Sequence, residues 1–262
     1  MDIPNVLKEI VEVKKREVDL LKIAMPLAQL EQRIQMQKPA LNLAGALMGE
    51  SVSVVAEVKK ASPTAGLLTD NFDPGSLALA YADNGAAAIS VLTNEAHFQG
   101  SIYDLVTVHE AVKSAGTPVL RKEFIFDSYQ VYEARAYGAD AILLIVSILT
   151  LDHLKDLMEL AQRFWMQCLV EVHNFEELRV ALDAGAEIVG INNRDLRTFK
   201  TGLEVTEQLA PLIPADKIIV SESGISCREH VLRLGKVGVH AVLVGEALVA
   251  SADPGAKLRS LQ

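Results

Sequence analysis

The spacing of hydrophobic and polar positions along this chain changes period near residue 50. Before that point it is helical. Leu7, Ile10, Val11, Val18 and Leu21 share a stripe with Glu9, Glu12, Lys15, Arg16 and Asp19 between them, which predicts an amphipathic helix over residues 4–22. Pro26 breaks it, Leu27, Leu30 and Ile34 carry a second helical pattern, and 41–48 suits a third, short one. From Val52 onward, short apolar runs alternate with helical segments over short connections, the signature of parallel β/α units. Strands are expected at 52–60, 87–93, 118–124, 141–147, 167–172, 188–194, 217–223 and 241–245. The helices between them are expected to begin near Asp73, Ser101, Asp127, Thr150, Asn174, Leu203, Ser226 and Glu246, several of these being residues that cap a first turn.

A weak internal repeat supports this reading. Asn84-Gly85-Ala86, Tyr137-Gly138-Ala139, Ala184-Gly185-Ala186 and Val237-Gly238-Val239 each place glycine just past a helix end, before an even-numbered strand. Eight such units joined by right-handed crossovers predict an α/β fold, a (β/α)8 TIM barrel. Residues 1–50 would form an N-terminal helical extension and 51–262 the barrel, the whole of 1–262 making a single domain. An open doubly wound sheet fits the same periodicity, but the first strand is not followed by a G-x-G-x-x-G dinucleotide loop.

Composition narrows the function. The chain has 262 residues, near the usual size of one such barrel, and a formal net charge of -9, which disfavours nucleic acid and membrane surfaces as partners. An anionic ligand would therefore need locally placed cations. The two cysteines, Cys168 and Cys227, form no C-x-x-C pair, and the six histidines show no metal-ligand spacing, so neither a disulfide framework nor a metal is expected. Charges from Asp2 onward argue against a signal peptide, and the apolar run at 141–151 falls short of the roughly 20 residues that cross a bilayer. A cytoplasmic protein is expected.

The informative anomaly is charge at strand ends. Val54-Val55-Ala56-Glu57-Val58-Lys59-Lys60 is a buried-strand pattern that closes on a carboxylate and ammonium groups. Glu57 and Lys59, two apart, share a face, and Ser62 follows in the loop. In isolation this pair reads more simply as a strand-end ion pair. The third strand, however, ends in Arg121-Lys122-Glu123-Phe124, the fifth in Glu171, the sixth in Asn192-Asn193-Arg194 and the seventh in Ser221-Glu222-Ser223-Gly224. Alternate strands fill one layer of a barrel interior, so strands one, three, five and seven would bring ionisable groups to one height at the C-terminal face, where barrels place their chemistry. Lysines facing carboxylates there suit acid and base roles. Ser223-Gly224 and Gly245, ahead of a helix start, occupy the usual phosphate position, although glycines there also suit plain tight turns.

These motifs, Val55 to Thr64, Arg121 to Ile125, Leu169 to His173, Gly190 to Leu196 and Ser221 to Ile225, resemble the indole-3-glycerol-phosphate synthase family of tryptophan biosynthesis. The resemblance extends over essentially the whole chain, including the helical extension and Glu95 to Ser101. It implies a carboxy-lyase that closes the indole ring of 1-(2-carboxyphenylamino)-1-deoxyribulose 5-phosphate with loss of carbon dioxide and water, without cofactor. By resemblance Lys122 is the general acid of ring closure and Glu171 the base of the later dehydration. Lys59 holds the anionic substrate and serves as a second acid, while Glu57 and Asn192 orient the reacting part. Arg194 complements the carboxylate and Glu222 completes the pocket. Phe98 and Phe124 flank the aromatic ring, and Ser62, Ser223, Gly224 and Gly245 contribute to the phosphate site. A small phosphorylated substrate is the expected partner, with no nucleic acid or membrane, and the chain is expected to act as a monomer.

Three positions depart from the family pattern. Ala65 stands where many members carry a basic residue, Asn193 where serine is frequent, and Glu246 where some members place serine. They bear on loop closure and on the phosphate site, not on the acid and base. A rival barrel with a similar ligand, phosphoribosylanthranilate isomerase, uses a cysteine at the end of the first strand and an aspartate after the sixth, where this chain has Glu57 and Asn192. A catalytically inactive ligand-binding barrel is the other alternative, and the intact set of Lys59, Lys122 and Glu171 argues against it.

Overall fold

The computed structural model describes residues 5–62, 66–69, 71–195 and 197–262. Eight parallel strands, β1 (Ser53–Val58), β2 (Ala88–Leu92), β3 (Val119–Lys122), β4 (Ala141–Ile145), β5 (Gln167–Val172), β6 (Ile188–Asn192), β7 (Ile218–Glu222) and β8 (Ala241–Val244), close into a barrel in chain order. Val55 pairs with Ala88 on one side and Leu243 on the other, so the sheet has no edge and the open alternative falls away. Each strand lies within its predicted range. Most are one or two residues shorter at an end, where the chain leaves the ladder to enter a loop.

The two-residue period of each strand sorts its side chains between two cores. Val54, Ala56 and Val58 of β1 face outward and join Ile89, Val91, Ile142, Leu144, Val170, Val189 and Val242 in the layer beneath the surrounding helices. Val55, Leu120, Leu143, Leu169, Val220 and Leu243 point inward and fill the barrel. Its N-terminal end is plugged by a short helix, α3 (Leu43–Leu47), through Leu43, Ala44 and Leu47. Asp140 fixes this end by accepting the backbone N–H groups of Leu41 and Val119 at 2.9 and 2.8 Å.

Helix starts follow the sequence. Asp73, Ser101, Asp127, Thr150 and Asn174 each accept a first-turn N–H. The helix expected near Ser226 begins instead at Arg228, behind Cys227, which makes no side-chain cap. Short elements escaped the periodicity argument because none completes enough turns or alternations to show a period. They include a ribbon pairing Ala61–Ser62 with Gly66–Leu67, one turn of helix at Glu95–Phe98, and a terminal helix at Pro254–Arg259. The departure at Ala65, together with Pro63, Thr64 and Leu196 of the motifs above, lies outside the described residues.

The extension consists of α1 (Asn5–Ala24), α2 (Leu27–Gln35) and α3. Leu7, Ile10 and Val18 of α1 are buried as its stripe predicts, whereas Val11 is half-buried and Leu21, near the helix end, is exposed; Leu30 of α2 is fully buried with Tyr129 and Ala136. Burying side chains of this size stabilises the docking by about 1.5–3 kcal/mol each. The Tyr129 hydroxyl lies 2.9 Å from the carbonyl of Met25 and 3.1 Å from that of Leu21, where α1 ends. Lys14 is buried on the stripe, which sequence spacing alone did not anticipate. Its Nζ lies 3.0 Å from Oε2 of Glu123, just past β3, and Glu123 also accepts from Asn94 Nδ2 and Thr93 Oγ1. Glu123 is thus a docking residue for α1, and outward-facing Arg121 is bonded to Glu133, the carbonyl of Gln130 and Thr93. Of the third strand's charged cluster only Lys122 points into the barrel.

Candidate active site

At the C-terminal mouth of the barrel, β1, β3, β5 and β7 send inward Glu57, Lys122, Glu171 and Glu222, each two residues beyond an apolar side chain of the interior core. Lys122 stands at their centre. Its ammonium donates a hydrogen bond to Oε2 of Glu222 and lies 3.7 Å from Oε2 of Glu57, whose Oε1 is 2.8 Å from the Lys59 ammonium. Lys59, Glu57, Lys122 and Glu222 therefore alternate in sign through a largely buried row.

That alternation sets the protonation states. Burial opposes the Lys122 ammonium, but the carboxylates of Glu222, Glu57 and Glu171 outweigh it and hold the group well above the ordinary lysine range. Burial likewise opposes the charge on Glu57, where Lys59 and Lys122 prevail and keep it ionised. Glu222 goes the other way: burial, reinforced by the charges of Glu171 and Glu57, exceeds the help from Lys122 and pushes it up to about 7. Its Oε1 is buried and has no hydrogen-bond partner among the described residues. The lysine pKa thus moves upward here, away from neutrality, and Glu222 is the carboxyl brought close to it.

Even-numbered strands make the room. A methyl group on Gly190 of β6 would collide with Oε1 of Glu222, and one on Gly245, just after β8, with the carboxylate of Glu57. Neither glycine has a positive φ, so close approach rather than backbone freedom explains them. Gly190→Ala is expected to push Glu222 off Lys122 and lower kcat by more than tenfold, measured by steady-state turnover with circular dichroism as the folding control. A kcat within twofold of the parent would show that this carboxylate has slack.

Glu171 is buried beside Asn192, whose side chain favours its charged form, and His173, whose Nε2 is 3.3 Å from Oε1. Burial again disfavours the carboxylate, but His173, Lys122 and Asn192 together lower its pKa below the usual carboxylate value. The Asn192 side-chain oxygen is itself fixed by the backbone N–H of Arg194 at 3.0 Å. Arg194 opens a hairpin-like turn in which it bridges to Thr201. Phe98 and Phe124 face each other across the mouth with ring centroids 6.3 Å apart and planes tilted by 37°. Together with Ser62 and with Leu7 and Ile10 of α1, Glu171, Asn192, Arg194, Phe98 and Phe124 line one cavity, behind which His173 lies.

A second cavity adjoins it, lined by Ser223, Gly224, Gly245 and Glu246 and sharing Lys59 and Arg194 with the first. Ser223 has φ 67° and Gly224 φ 80°, two successive left-handed residues, of which the serine is strained. Asn193 holds that loop: its amide donates to Ser221 Oγ at 2.9 Å and to the Ser223 carbonyl at 3.1 Å, while its oxygen accepts from the backbone and hydroxyl of Thr206. The departure at Asn193 is therefore a buried brace on the outer face of the barrel. Glu246 lines both cavities and puts a carboxylate beside the proposed phosphate end.

All thirteen residues singled out from the sequence come to this mouth, although Glu222 sits beneath the cavity as a buried partner of Lys122. Sequence reasoning missed His173 and its second neighbour Glu177. The signal was present, since Glu171 and His173 are two apart on one strand end, but the search for metal spacing passed over it. Among the described residues, no cluster of three or more His, Cys, Asp or Glu is arranged to hold a metal, and no helix is long and apolar enough to cross a membrane.

Comparison with known proteins agrees with the motifs. The family model described as indole-3-glycerol phosphate synthase matches residues 7–261. An indole-3-glycerol phosphate synthase from one strain of Dehalococcoides mccartyi is 50% identical over 257 residues, covering 98% of this chain and 99% of that protein. One from a Roseiflexus species is 50% identical over 263 residues, covering 98% of each. Among solved structures, 3-hexulose-6-phosphate synthase from Salmonella typhimurium superposes with a TM-score of 0.64 over 80% of this chain and 96% of that one. At 14% identity it supports the barrel fold alone.

Proposed function

This chain belongs to the indole-3-glycerol phosphate synthase family, and from that premise we propose how its barrel mouth divides the work of the reaction. The enzyme is a decarboxylating lyase of tryptophan biosynthesis that converts 1-(2-carboxyphenylamino)-1-deoxyribulose 5-phosphate to indole-3-glycerol phosphate. In our reading Lys122 gives its proton to the ketone oxygen as the aromatic carbon attacks, so that the oxygen becomes a hydroxyl rather than an alkoxide. A lysine held above its usual pKa suits this task, because an alkoxide is a strong enough base to take the proton. Carbon dioxide then leaves. Glu171, kept ionised, accepts the ring proton as the hydroxyl departs with a proton from Lys59, which restores aromaticity.

The observation that carries the assignment is the central ammonium of Lys122, held by Glu222 and Glu57 and facing Glu171 across one barrel layer. Lys59 and Arg194 supply further positive charge in a chain of net charge -9, as a substrate with a phosphate and a carboxylate demands. Phe98 and Phe124 are proposed to flank the aniline ring, Asn192 and Glu57 to orient the reacting chain, and Glu222 to hold Lys122. Ser62, Ser223, Gly224 and Gly245 would take the phosphate, in part through backbone N–H groups. The steps are proton transfers and loss of carbon dioxide, which these side chains supply without metal or cofactor.

The docking of α1 through Lys14 supports residues 1–50 and 51–262 acting as a single domain, and the proposed enzyme is read as a monomer whose biosynthetic role suits the cytoplasm. The test is turnover of the synthetic carboxyphenylamino substrate followed by indole fluorescence, before and after exhaustive chelation. Equal rates are expected. Absence of the indole signal would refute the assignment, and a chelation loss restored by a divalent metal would refute the metal-free mechanism.

A further inference from the structure

The end of β5 carries more apparatus than a lone base requires. Glu171 and His173 emerge on the same face, and the imidazole lies between two carboxylates: Nε2 is 3.3 Å from Oε1 of Glu171 and Nδ1 is 2.9 Å from Oε2 of Glu177. Glu177, in the first turn of the helix Phe175–Asp183, is 5% exposed and held by several donors. The backbone N–H of His173 reaches its Oε2 at 2.9 Å and the Asn174 amide its Oε1 at 2.8 Å, while its own N–H donates to Asn174 Oδ1. Capping of the helix accounts for the Asn174 and backbone bonds. It does not account for an imidazole turned toward the active-site carboxylate.

We propose that His173 is a positioning residue that bridges Glu177 and Glu171 as an imidazolium, aiming Glu171 at the substrate and keeping it ionised in a buried site. A carboxylate within ion-pair distance of each ring nitrogen favours a hydrogen on both, which is the charged form. Burial opposes that charge, but the two carboxylates overcome it and raise His173 to about 10. The converse holds for Glu171. Facing it are Lys122 from β3 and Asn192 from β6, which favour its charge, and the carboxylates of Glu57 from β1 and Glu222 from β7, which oppose it. His173 is the strongest of the groups favouring ionisation. The Glu171 contact at 3.3 Å is an ion pair short of an aligned hydrogen bond, as expected of a catalytic contact that tightens when substrate arrives.

The inference rests on Glu171 being the base, and the experiment separates the two. Removing an opposite charge at this range raises a carboxyl pKa by about 1–3 units. A folded pKa that rises shifts loss of the base to higher pH, so the acid limb of kcat/KM for His173→Gln should move up by at least one unit. A profile of unchanged shape, with only its height reduced, would overturn the proposal. Glu171→Gln is the control: if it turns over normally, the reading of Glu171 as base fails, whatever His173 does. Should His173→Gln not fold, nitrogen-15 NMR of the parent decides. One of the six histidines should remain doubly protonated at pH 8, and Glu177→Gln should lower the titration midpoint of that same signal. A parent in which every histidine is neutral at pH 8 would equally overturn the proposal.

Discussion

Lys122→Met should reduce kcat by at least ~10²-fold, the low end for loss of a general acid, and should also make stability depend on pH more steeply. Methionine keeps much of the volume but leaves Glu57, Glu171 and Glu222 facing one another without their shared cation. Removing one partner of a buried ion pair costs about 3–5 kcal/mol when the remaining charge persists. Here it need not persist, because Glu222 already titrates at about 7 with the lysine present and can take up a proton. The sign follows from linkage. A carboxyl whose folded pKa lies above its unfolded value of 4.5 holds its proton longer in the native state. Its contribution is fully present below that value and is lost as pH rises through about 7. Without Lys122 the folded value rises further, so the Tm of the variant should approach that of the parent near pH 5 and fall progressively below it toward pH 8. Turnover within about threefold of the parent would remove Lys122 from the mechanism, since a general acid supplies far more. A Tm difference independent of pH would mean that Glu222 does not absorb the lost charge.

The barrel was legible because its eight strands alternate with capped helices and each signal repeats. Strand phase explains which charged residues meet at the barrel mouth and which do not. Counting by twos from Val55, Leu120, Leu169 and Val220 selects Glu57, Lys122, Glu171 and Glu222. The same count turns Arg121 outward to Glu133 and leaves Glu123 to Lys14. Treating Arg121-Lys122-Glu123 as one charged cluster hid that division. The Lys14–Glu123 pair joins residues more than a hundred positions apart, and no local pattern announces it. The direction of the protonation shifts was also beyond sequence, because it depends on how many carboxylates surround one ammonium in three dimensions. Gly245 reads from the sequence as a phosphate-site or turn glycine and Gly190 as part of a strand motif, and the room each leaves for a carboxylate shows only once Glu57 and Glu222 are placed.

Glu171→Gln should separate the late step from the early one. Glutamine preserves the shape of the side chain and a donor or acceptor for Asn192, but cannot accept the ring proton. Formation of indole should therefore fall by about 10²-fold or more, while consumption of substrate through ring closure and decarboxylation falls much less. Single-turnover mixing with excess enzyme would then show substrate disappearing before indole fluorescence develops, the gap being a closed, decarboxylated and still hydroxylated intermediate. The same variant removes one of the two carboxylates around His173, so the histidine that titrates near 10 in the parent should titrate lower. Lys122 and Glu171 act on different protons of one sequence within one charge network, so the double variant should lose less than the product of the two single losses. Substrate loss and indole appearance slowing in step, with no lag, would place Glu171 in ring closure and require another base for the dehydration. Asn192 has no proton-accepting nitrogen at neutral pH, which leaves the two other carboxylates of the layer, Glu57 engaged by Lys59 and Glu222 engaged by Lys122, as the groups to substitute next.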